Sequence, residues 1–123
     1  MPAPDQLVVL VIEDDPLVCI LLQDILHEEG YQVLLAENGE QAMVILTTAR
    51  PDLVTLDLNL PGISGDVVLK ELRNQDTTKE LPVIIVSALE TIPREVHKLA
   101  QAVIQKPFDI DKLLSTIQRF ILK

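Results

Sequence analysis

Residues 53–62, which read LVTLDLNLPG, decide how this chain is expected to fold. The stretch is an apolar run of strand-forming residues that ends on a carboxylate, Asp57, and turns at Pro61 and Gly62. It predicts a buried strand over 53–57. In an open parallel sheet, ligands bind in the crevice at the carboxyl ends of the strands, so Asp57 is a candidate functional group. Asp is also a common turn residue, and the stretch alone leaves open that Asp57 merely caps the following segment.

Strands and helices are predicted to alternate along the rest of the chain. Apolar runs predict four further strands, over 7–12, 32–36, 83–87 and 102–105. Helix start and stop signals predict five helices. The first runs from Pro16 to a stop at Gly30, and the second from the turn Asn38-Gly39 to Arg50-Pro51. The third follows a Ser64 cap, the fourth covers 94–100, and the fifth runs from 109 or 110 to 121. Five such repeats predict an α/β fold, with a parallel sheet covered by helices on both faces.

The first predicted helix carries one broad apolar face. The periodicity predicts that this face is buried, and its members are Leu17, Val18, Leu21, Leu22, Ile25 and Leu26. Pro16 suits the first turn of this helix, and the acids before it are placed to cap its N-terminus.

Chemically able side chains follow four of the five predicted strands. They are Glu13 and Asp14 after the first strand, Asp57 after the third, Ser87 after the fourth and Lys106 after the fifth. Because the carboxyl ends of parallel strands meet at one edge, we expect these side chains to share a crevice.

Carboxylates crowded in one crevice repel one another, which raises their pKa values unless a cation neutralises them. Hard divalent ions such as Mg²⁺ take carboxylate and carbonyl oxygens, so an ion is predicted between Asp14, Asp57 and a backbone carbonyl. Lys106 adds a fixed positive charge, and a carboxylate flanked by a metal and an ammonium is set to attack phosphorus. Ser87 offers a hydroxyl donor to the transferring group. The predicted product is an aspartyl phosphate on Asp57.

The length and composition of the chain limit the classes of protein to which it can belong. The 123 residues predict one domain, 1–123, and its core must be aliphatic because the chain has one Tyr, two Phe and no Trp. Ten Lys and Arg against 19 Asp and Glu give a net charge of −9, which argues against direct nucleic-acid binding. The single Cys19 excludes an internal disulfide and predicts a small buried residue.

Location and lead segment are also predicted from the sequence. Residues 1–6, with two prolines and no periodicity, predict a disordered lead. The apolar run at 7–12 is far shorter than the roughly 20 residues that span a bilayer, so no membrane association and a cytoplasmic location are predicted. No glycine-rich phosphate loop follows the first strand, which disfavours a dinucleotide-binding sheet.

Four motifs together resemble the response-regulator receiver domain of two-component signalling. They are VIEDDP at 11–16, LDLNLPGISG at 56–65, VSA at 86–88 and KPF at 106–108, in the family's order and spacing. The resemblance covers 8–122 and implies a flavodoxin-like doubly wound sheet with strand order 2-1-3-4-5.

The resemblance also implies a role for each matching residue. Asp57 would accept the phosphoryl group and Lys106 would pair with it. Ser87 would be the switch hydroxyl, with room left beside it by Ala88. Mg²⁺, with Mn²⁺ as an alternative, would be held as follows: by Asp14 directly, by Glu13 through water, by Asp57, and by the backbone carbonyl of Asn59.

The remaining family expectations concern neighbours and partners. Asp15 is more consistent with a helix cap than with a metal ligand, and Pro107 is expected to follow a cis bond. The donor would be a histidine kinase or a histidine phosphotransfer protein, and the output would pass to a further protein or a fused domain. No output domain is expected within this chain. The domain is expected not to be an enzyme, although magnesium-dependent self-phosphorylation from small donors and slow autodephosphorylation are expected.

The chain departs from the family pattern near its end. Val103 stands where the family usually carries Tyr or Phe, Leu99-Ala100 replaces the usual Gly-Ala, and Pro93 stands where the fourth helix would begin. The spacing from Ser87 to Lys106 is also short. These differences permit two interpretations: a trimmed loop without consequence, or an output that does not use the aromatic switch and the common dimer face.

Two other functions remain open at this stage. A pseudo-receiver would only bind proteins, but the acids and the lysine are all present. An aspartate-nucleophile hydrolase would need an acid two residues after Asp57, where Asn59 stands. His27 and His97 lack a partner at metal-ligand spacing and are predicted to be surface residues.

Overall fold

A computed structural model describes residues 6–121, so all but the last residue of the predicted lead at 1–6 lies outside the described part of the chain. Ten elements alternate along it. They are β1 (Val8–Ile12), α1 (Pro16–Glu28), β2 (Gln32–Ala36), α2 (Gly39–Ile45), β3 (Leu53–Leu56), α3 (Gly65–Arg73), β4 (Val83–Ser87), α4 (Arg94–Leu99), β5 (Ala102–Gln105) and α5 (Ile110–Ile121). Within 6–121, no helix combines the length and apolar character that crossing a bilayer requires.

The five strands form one parallel sheet in the order β2-β1-β3-β4-β5, which confirms the predicted fold class. Successive strand residues point to opposite faces, and two aliphatic cores result. Leu10, Leu56 and Ile85 face one core, while Val9, Val11 and Ile84 face the other. Because both faces are covered, the strands can be continuous apolar runs.

The strand ends are aligned by register. Ile12 of β1 pairs with Leu56 of β3, and the amide of Asp57 donates to the Ile12 carbonyl at 3.0 Å. On the other side, the Lys106 amide donates to the Ser87 carbonyl at 2.8 Å. The residues that follow β1, β3 and β5 are therefore held at one edge of the sheet.

The predicted burial of α1 is partly wrong. Leu17 is 77% exposed and Leu21 is 41% exposed, whereas the buried residues of the helix are Cys19, Leu22 and Leu26. The six apolar positions spread over about half of the helix circumference, since each residue turns about 100°. The sheet covers only the part centred on the three buried residues, and an apolar strip is left facing solvent.

Five predictions at the ends of elements also need correction. β1 begins at Val8 rather than at residue 7, and α4 ends at Leu99 rather than at residue 100. β3 ends at Leu56, so Asp57 is the first residue after the strand; α2 ends at Ile45 and continues only as turns. Ser64 lies at the N-cap position of α3, but its hydroxyl donates to the Asp66 carboxylate and makes no cap bond to a backbone amide. The nearby carboxylate competes for the hydroxyl that the sequence pattern assigned to the helix end.

Several smaller predictions are confirmed. Asp15 caps α1 by accepting from the Leu17 amide at 2.9 Å, and the bond between Lys106 and Pro107 is cis. Cys19 is buried, its Sγ donates to the Glu13 carbonyl, and burial raises the pKa of its thiol. His27 and His97 are both exposed.

Candidate functional site

A crevice of about 300 Å³ opens at the carboxyl edge of the sheet. Its lining contains the acids that follow β1 and β3, the lysine that follows β5, and the loop that follows β4. The residues are Glu13, Asp14, Asp15, Asp57, Asn59, Ala88, Leu89 and Lys106. The predicted convergence of strand ends is therefore observed, except that Ser87 lies behind the lining.

Three of these acids form a cluster that suits a cation. One carboxylate oxygen from each of Glu13, Asp14 and Asp57 lies within 4.8 Å of the other two. Glu13 and Asp57 are buried, while Asp14 is exposed and keeps the cluster open to solvent. An all-oxygen donor set with an open side fits a hard divalent ion that retains several waters, so the residues present fit Mg²⁺.

Lys106 lies between the two buried acids. Its ammonium donates to Glu13 Oε1 at 2.7 Å and to Asp57 Oδ2 at 3.1 Å. The remaining oxygens are also bonded: Asp57 Oδ1 accepts from the Asn59 amide at 3.0 Å, and Glu13 Oε2 accepts from the Asp15 amide. The sequence predicted the contact of Lys106 with the Asp57 site but not the shorter contact with Glu13.

These contacts shape the electrostatics of the crevice. Burial raises the pKa of Glu13 above its usual range, and the Asp57 charge adds to this effect. The hydrogen bonds from Lys106 and from the Asp15 amide offset it only in part. Burial alone would lower the pKa of Lys106, but the hydrogen bonds to Glu13 and Asp57 raise it. The lysine therefore stays charged and substitutes in part for a metal ion.

Ser87 ends β4 with its side chain buried. Its Oγ accepts from the Leu89 amide at 3.3 Å, and among the bonds of the described residues it does not reach Asp57. Ala88 and Leu89 line the crevice beyond it. The structure places the predicted switch hydroxyl next to the crevice but turned toward the following loop.

Two residues of the site were not predicted. Leu89 lines the crevice, and no sequence pattern marks it. Gly65 lies in the first turn of α3 and holds the backbone after β3 by donating from its amide to the Leu58 carbonyl at 2.9 Å. A Cβ at this position would lie 2.3 Å from the Asp57 carbonyl oxygen. Glycine permits a close approach of backbone, and its place directly after the predicted cap Ser64 could have signalled such an approach.

Known proteins are similar to this chain over most of its length. The family model for the response regulator receiver domain matches residues 9–118, which is most of the chain. The chain belongs to this family. It is thus a receiver domain of the kind found in the response regulators of two-component signalling, as the four motifs indicated.

Individual relatives agree with this assignment. Sporulation initiation phosphotransferase F of Bacillus subtilis is 36% identical over 116 residues, covering 92% of both chains. The response regulator TrrA of Thermotoga maritima, solved in complex with Mg²⁺ and BeF, has a TM-score of 0.86 and 33% identity, covering 94% of this receiver and 99% of that chain.

A further structure bears on the metal. The receiver domain of the sensor histidine kinase PA1611 from Pseudomonas aeruginosa has a TM-score of 0.85 and 25% identity, covering 96% of this receiver and 99% of that chain. That structure has a magnesium ion coordinated in its active-site cleft. Receivers similar to this one thus bind magnesium, and this receiver has an acidic cluster able to hold a metal ion.

Proposed function

We propose that this receiver accepts a phosphoryl group on Asp57 from a histidine kinase or a histidine phosphotransfer protein, in a reaction that requires Mg²⁺. The observation that carries the proposal is the position of Asp57. It is a buried carboxylate bonded to the Lys106 ammonium, and one of its oxygens lies within 4.8 Å of one carboxylate oxygen each from Glu13 and Asp14. Phosphoryl transfer is favoured when positive charge on both sides of the nucleophile neutralises the transferring group. Lys106 supplies one such charge, and a Mg²⁺ ion held by the acidic cluster would supply the other.

The chain's own residues would divide the chemistry as follows. A carboxylate oxygen of Asp57 forms a bond to phosphorus while the bond from phosphorus to the donor's histidine nitrogen breaks, and the histidine leaves with the electron pair. Lys106 moves its hydrogen bond to a phosphoryl oxygen, and the Ser87 hydroxyl donates to another. Glu13, Asp14, Asp57 and the Asn59 carbonyl would hold Mg²⁺, which when bound neutralises charge on the transferring group.

The phosphoryl group would then shift a protein-interaction surface between two states. The receiver would not act as an enzyme on other molecules, although it would take phosphate from small donors and slowly hydrolyse its own acyl phosphate. Both activities follow from the same carboxylate: Asp57 reacts with a small donor, and the resulting acyl phosphate is open to water through the exposed side of the crevice.

Intact mass after incubation with acetyl phosphate and magnesium tests the proposal. The wild-type receiver should gain one phosphoryl group of about 80 Da, and the gain should be absent in Asp57→Asn and without metal. Asp76→Asn, an exposed carboxylate in the loop after α3, is the matched control and should still gain the group.

Absence of an adduct in the wild type would contradict the proposal, provided that a titration with magnesium and beryllium fluoride also shows no binding. In that case the pseudo-receiver interpretation, in which the domain only binds other proteins, would account for the chain better.

The phosphodonor also needs a place to dock beside Asp57. The solvent-facing side of α1 carries Leu17, Ile20 and Leu21, which are 77%, 57% and 41% exposed. Leu21 also lines an apolar groove of about 270 Å³ that reaches Lys106 and Phe108. This strip is an exposed apolar surface beside the crevice, and we assign it to the contact with the donor protein.

Leu21→Ser should slow phosphotransfer by about tenfold from a histidine kinase that phosphorylates the wild-type chain. The reason is that losing one apolar side chain buried at an interface costs about 1–2 kcal/mol of binding free energy. Phosphorylation by acetyl phosphate should not change, because the crevice is intact. Val44→Ser, an equally simple change at a side chain that is 68% exposed on α2, is the control. Equal loss with the kinase and with acetyl phosphate would show that the substitution damages the crevice rather than a docking surface.

A further inference from the structure

Arg73, the last residue of α3, joins three segments of the chain. Its Nε donates to the Leu99 carbonyl at 2.9 Å, and its Nη2 donates to Gln101 Oε1 at 3.0 Å. Its Nη1 donates to three carbonyls of the loop after α3, those of Leu81 at 2.8 Å and of Thr78 and Lys79 at 3.2 Å. All five acceptors are neutral, and burial lowers the pKa of the guanidinium.

Gln101 extends this network to β4. Its side-chain Oε1 also accepts from the Val83 amide at 2.7 Å, and its backbone amide donates to the Val83 carbonyl at 2.9 Å. The C-terminal end of α4 is therefore tied through Leu99 and Gln101 both to α3 and to the first residue of β4. The network is partly buried, with Arg73 half-buried and Gln101 exposed, and its seven hydrogen bonds together hold this end of α4.

Fewer hydrogen bonds hold the N-terminal end of α4, although Ile92 just before it packs against one of the two cores. Pro93 occupies the N-cap position without a side-chain cap bond, and Val96 is the one buried residue of the helix. Its ion pair, Lys70 to Glu95 at 3.0 Å, is exposed and contributes little.

The loop before α4 depends on the edge of the crevice. Within the described residues, Leu89 makes two hydrogen bonds: its amide donates to Ser87 Oγ at 3.3 Å, and its carbonyl accepts from Gln105 Nε2 at 3.4 Å. Both bonds are long, and both partners lie beside residues of the crevice. The two ends of α4 thus differ in what holds them.

We propose that Arg73 is a positioning residue that fixes the C-terminal end of α4, so that the response to phosphorylation is confined to the N-terminal end and the loop before it. This inference rests on the proposed phosphorylation of Asp57. When the Ser87 hydroxyl turns toward a phosphoryl oxygen, it leaves the Leu89 amide and the loop loses one of its two bonds. The Arg73 network lies at the opposite edge of the sheet and is unchanged. The surface presented to an output partner would then be the segment around Leu89, which needs no aromatic residue at Val103.

Amide hydrogen exchange resolved by NMR tests both halves of the inference. In the wild type, beryllium fluoride added with magnesium mimics the phosphoryl group. It should speed exchange at Leu89, Val96 and His97. The amides of Ala100 and Gln101, which donate to Val96 and Val83, should keep their rates. A rise at Ala100 and Gln101 equal to that at Leu89, or no change at Leu89, would overturn the inference.

The role of Arg73 in holding the end of α4 can be tested without beryllium fluoride. Arg73→Met should speed exchange at Ala100 and Gln101 by about tenfold or more, because local opening follows the loss of the bonds that prevent it. Arg50→Met is the control, since Arg50 also donates to backbone carbonyls, those of Leu46 and Ala49, and neither belongs to α4. Unchanged rates in Arg73→Met would overturn the inference. Should that variant not fold, Gln101→Leu removes one arm of the network and is judged in the same way.

Failure of the proposed function gives a different result. The wild type would then not bind beryllium fluoride at all, and no amide near the crevice would respond. If the inference about Arg73 alone is wrong, binding is retained while the pattern of exchange along α4 differs from the one expected.

Discussion

Lys106→Met is expected to bind magnesium about tenfold more tightly than the wild-type receiver, while its metal-free form is less stable by about 2–4 kcal/mol. In the wild type the ammonium bonds Glu13 at 2.7 Å and Asp57 at 3.1 Å, so an incoming cation competes with it for the same two carboxylates. Methionine keeps the length of the side chain and removes the charge. The three carboxylates then have no internal cation, which weakens the metal-free fold and strengthens the attraction for a divalent ion.

Isothermal titration with MgCl₂ gives the affinity, and urea denaturation with and without magnesium gives the two stabilities. Lys112→Met, at an exposed lysine on α5, also removes one positive charge and should change neither quantity. A variant at Lys106 that bound magnesium no better than the wild type would show that the lysine does not compete with the ion. Phosphorylation should nevertheless be slower in Lys106→Met, because the positive charge beside the transferring group is lost.

Gly65→Ala is expected to destabilise the receiver by about 3 kcal/mol and to displace Asp57. An added Cβ would lie 2.3 Å from the Asp57 carbonyl oxygen and 2.5 Å from the Leu58 Cα, and neither backbone atom can rotate away. Relief requires α3 to separate from the segment that carries the nucleophile. Both the stability in urea and the yield of the acetyl phosphate adduct should fall.

Gly30→Ala is the matched control for this substitution. Gly30 has φ of +93° with nothing within 4 Å of an added Cβ, so the change strains one backbone position and costs about 1–2 kcal/mol. It should leave the adduct yield unchanged because Gly30 lies beyond α1. A stable Gly65→Ala variant with a normal adduct yield would mean that the approach of α3 to Asp57 is not tight.

Most of the fold follows from simple sequence patterns. Continuous β-branched runs such as 83–87 predicted strands covered on both faces, and β4 has the predicted bounds. The order of strands was implied by the family resemblance, because spacing alone fixes parallel crossovers but not which strands are neighbours. The predictions of burial fail where the packing of one element against another decides which residues are covered. Leu17 and Leu21 lie on an apolar helix face, but only the sheet decides which part of that face it covers.

The candidate site was predicted at the level of residues but not of contacts. Glu13, Asp57 and Lys106 converge because each follows a strand of one parallel sheet, and that depends on topology. The bond of Lys106 to Glu13 depends on how a flexible side chain chooses between two acids, which spacing does not encode. Arg73 was missed for a similar reason, since all its acceptors are neutral groups and no charged residue in the sequence marks it.

The aliphatic character of the two cores has an optical consequence. The chain has no tryptophan, and Leu89, which lines the crevice, is 43% exposed. An indole introduced by Leu89→Trp would be the protein's sole tryptophan, and its emission could be excited apart from that of Tyr31. It would lie at the loop that borders the carboxylates, where the arrival of a cation or of a phosphoryl group alters the polarity around it. Intrinsic fluorescence in a stopped-flow instrument could then follow each of these events in real time, without a radioactive label or an attached dye.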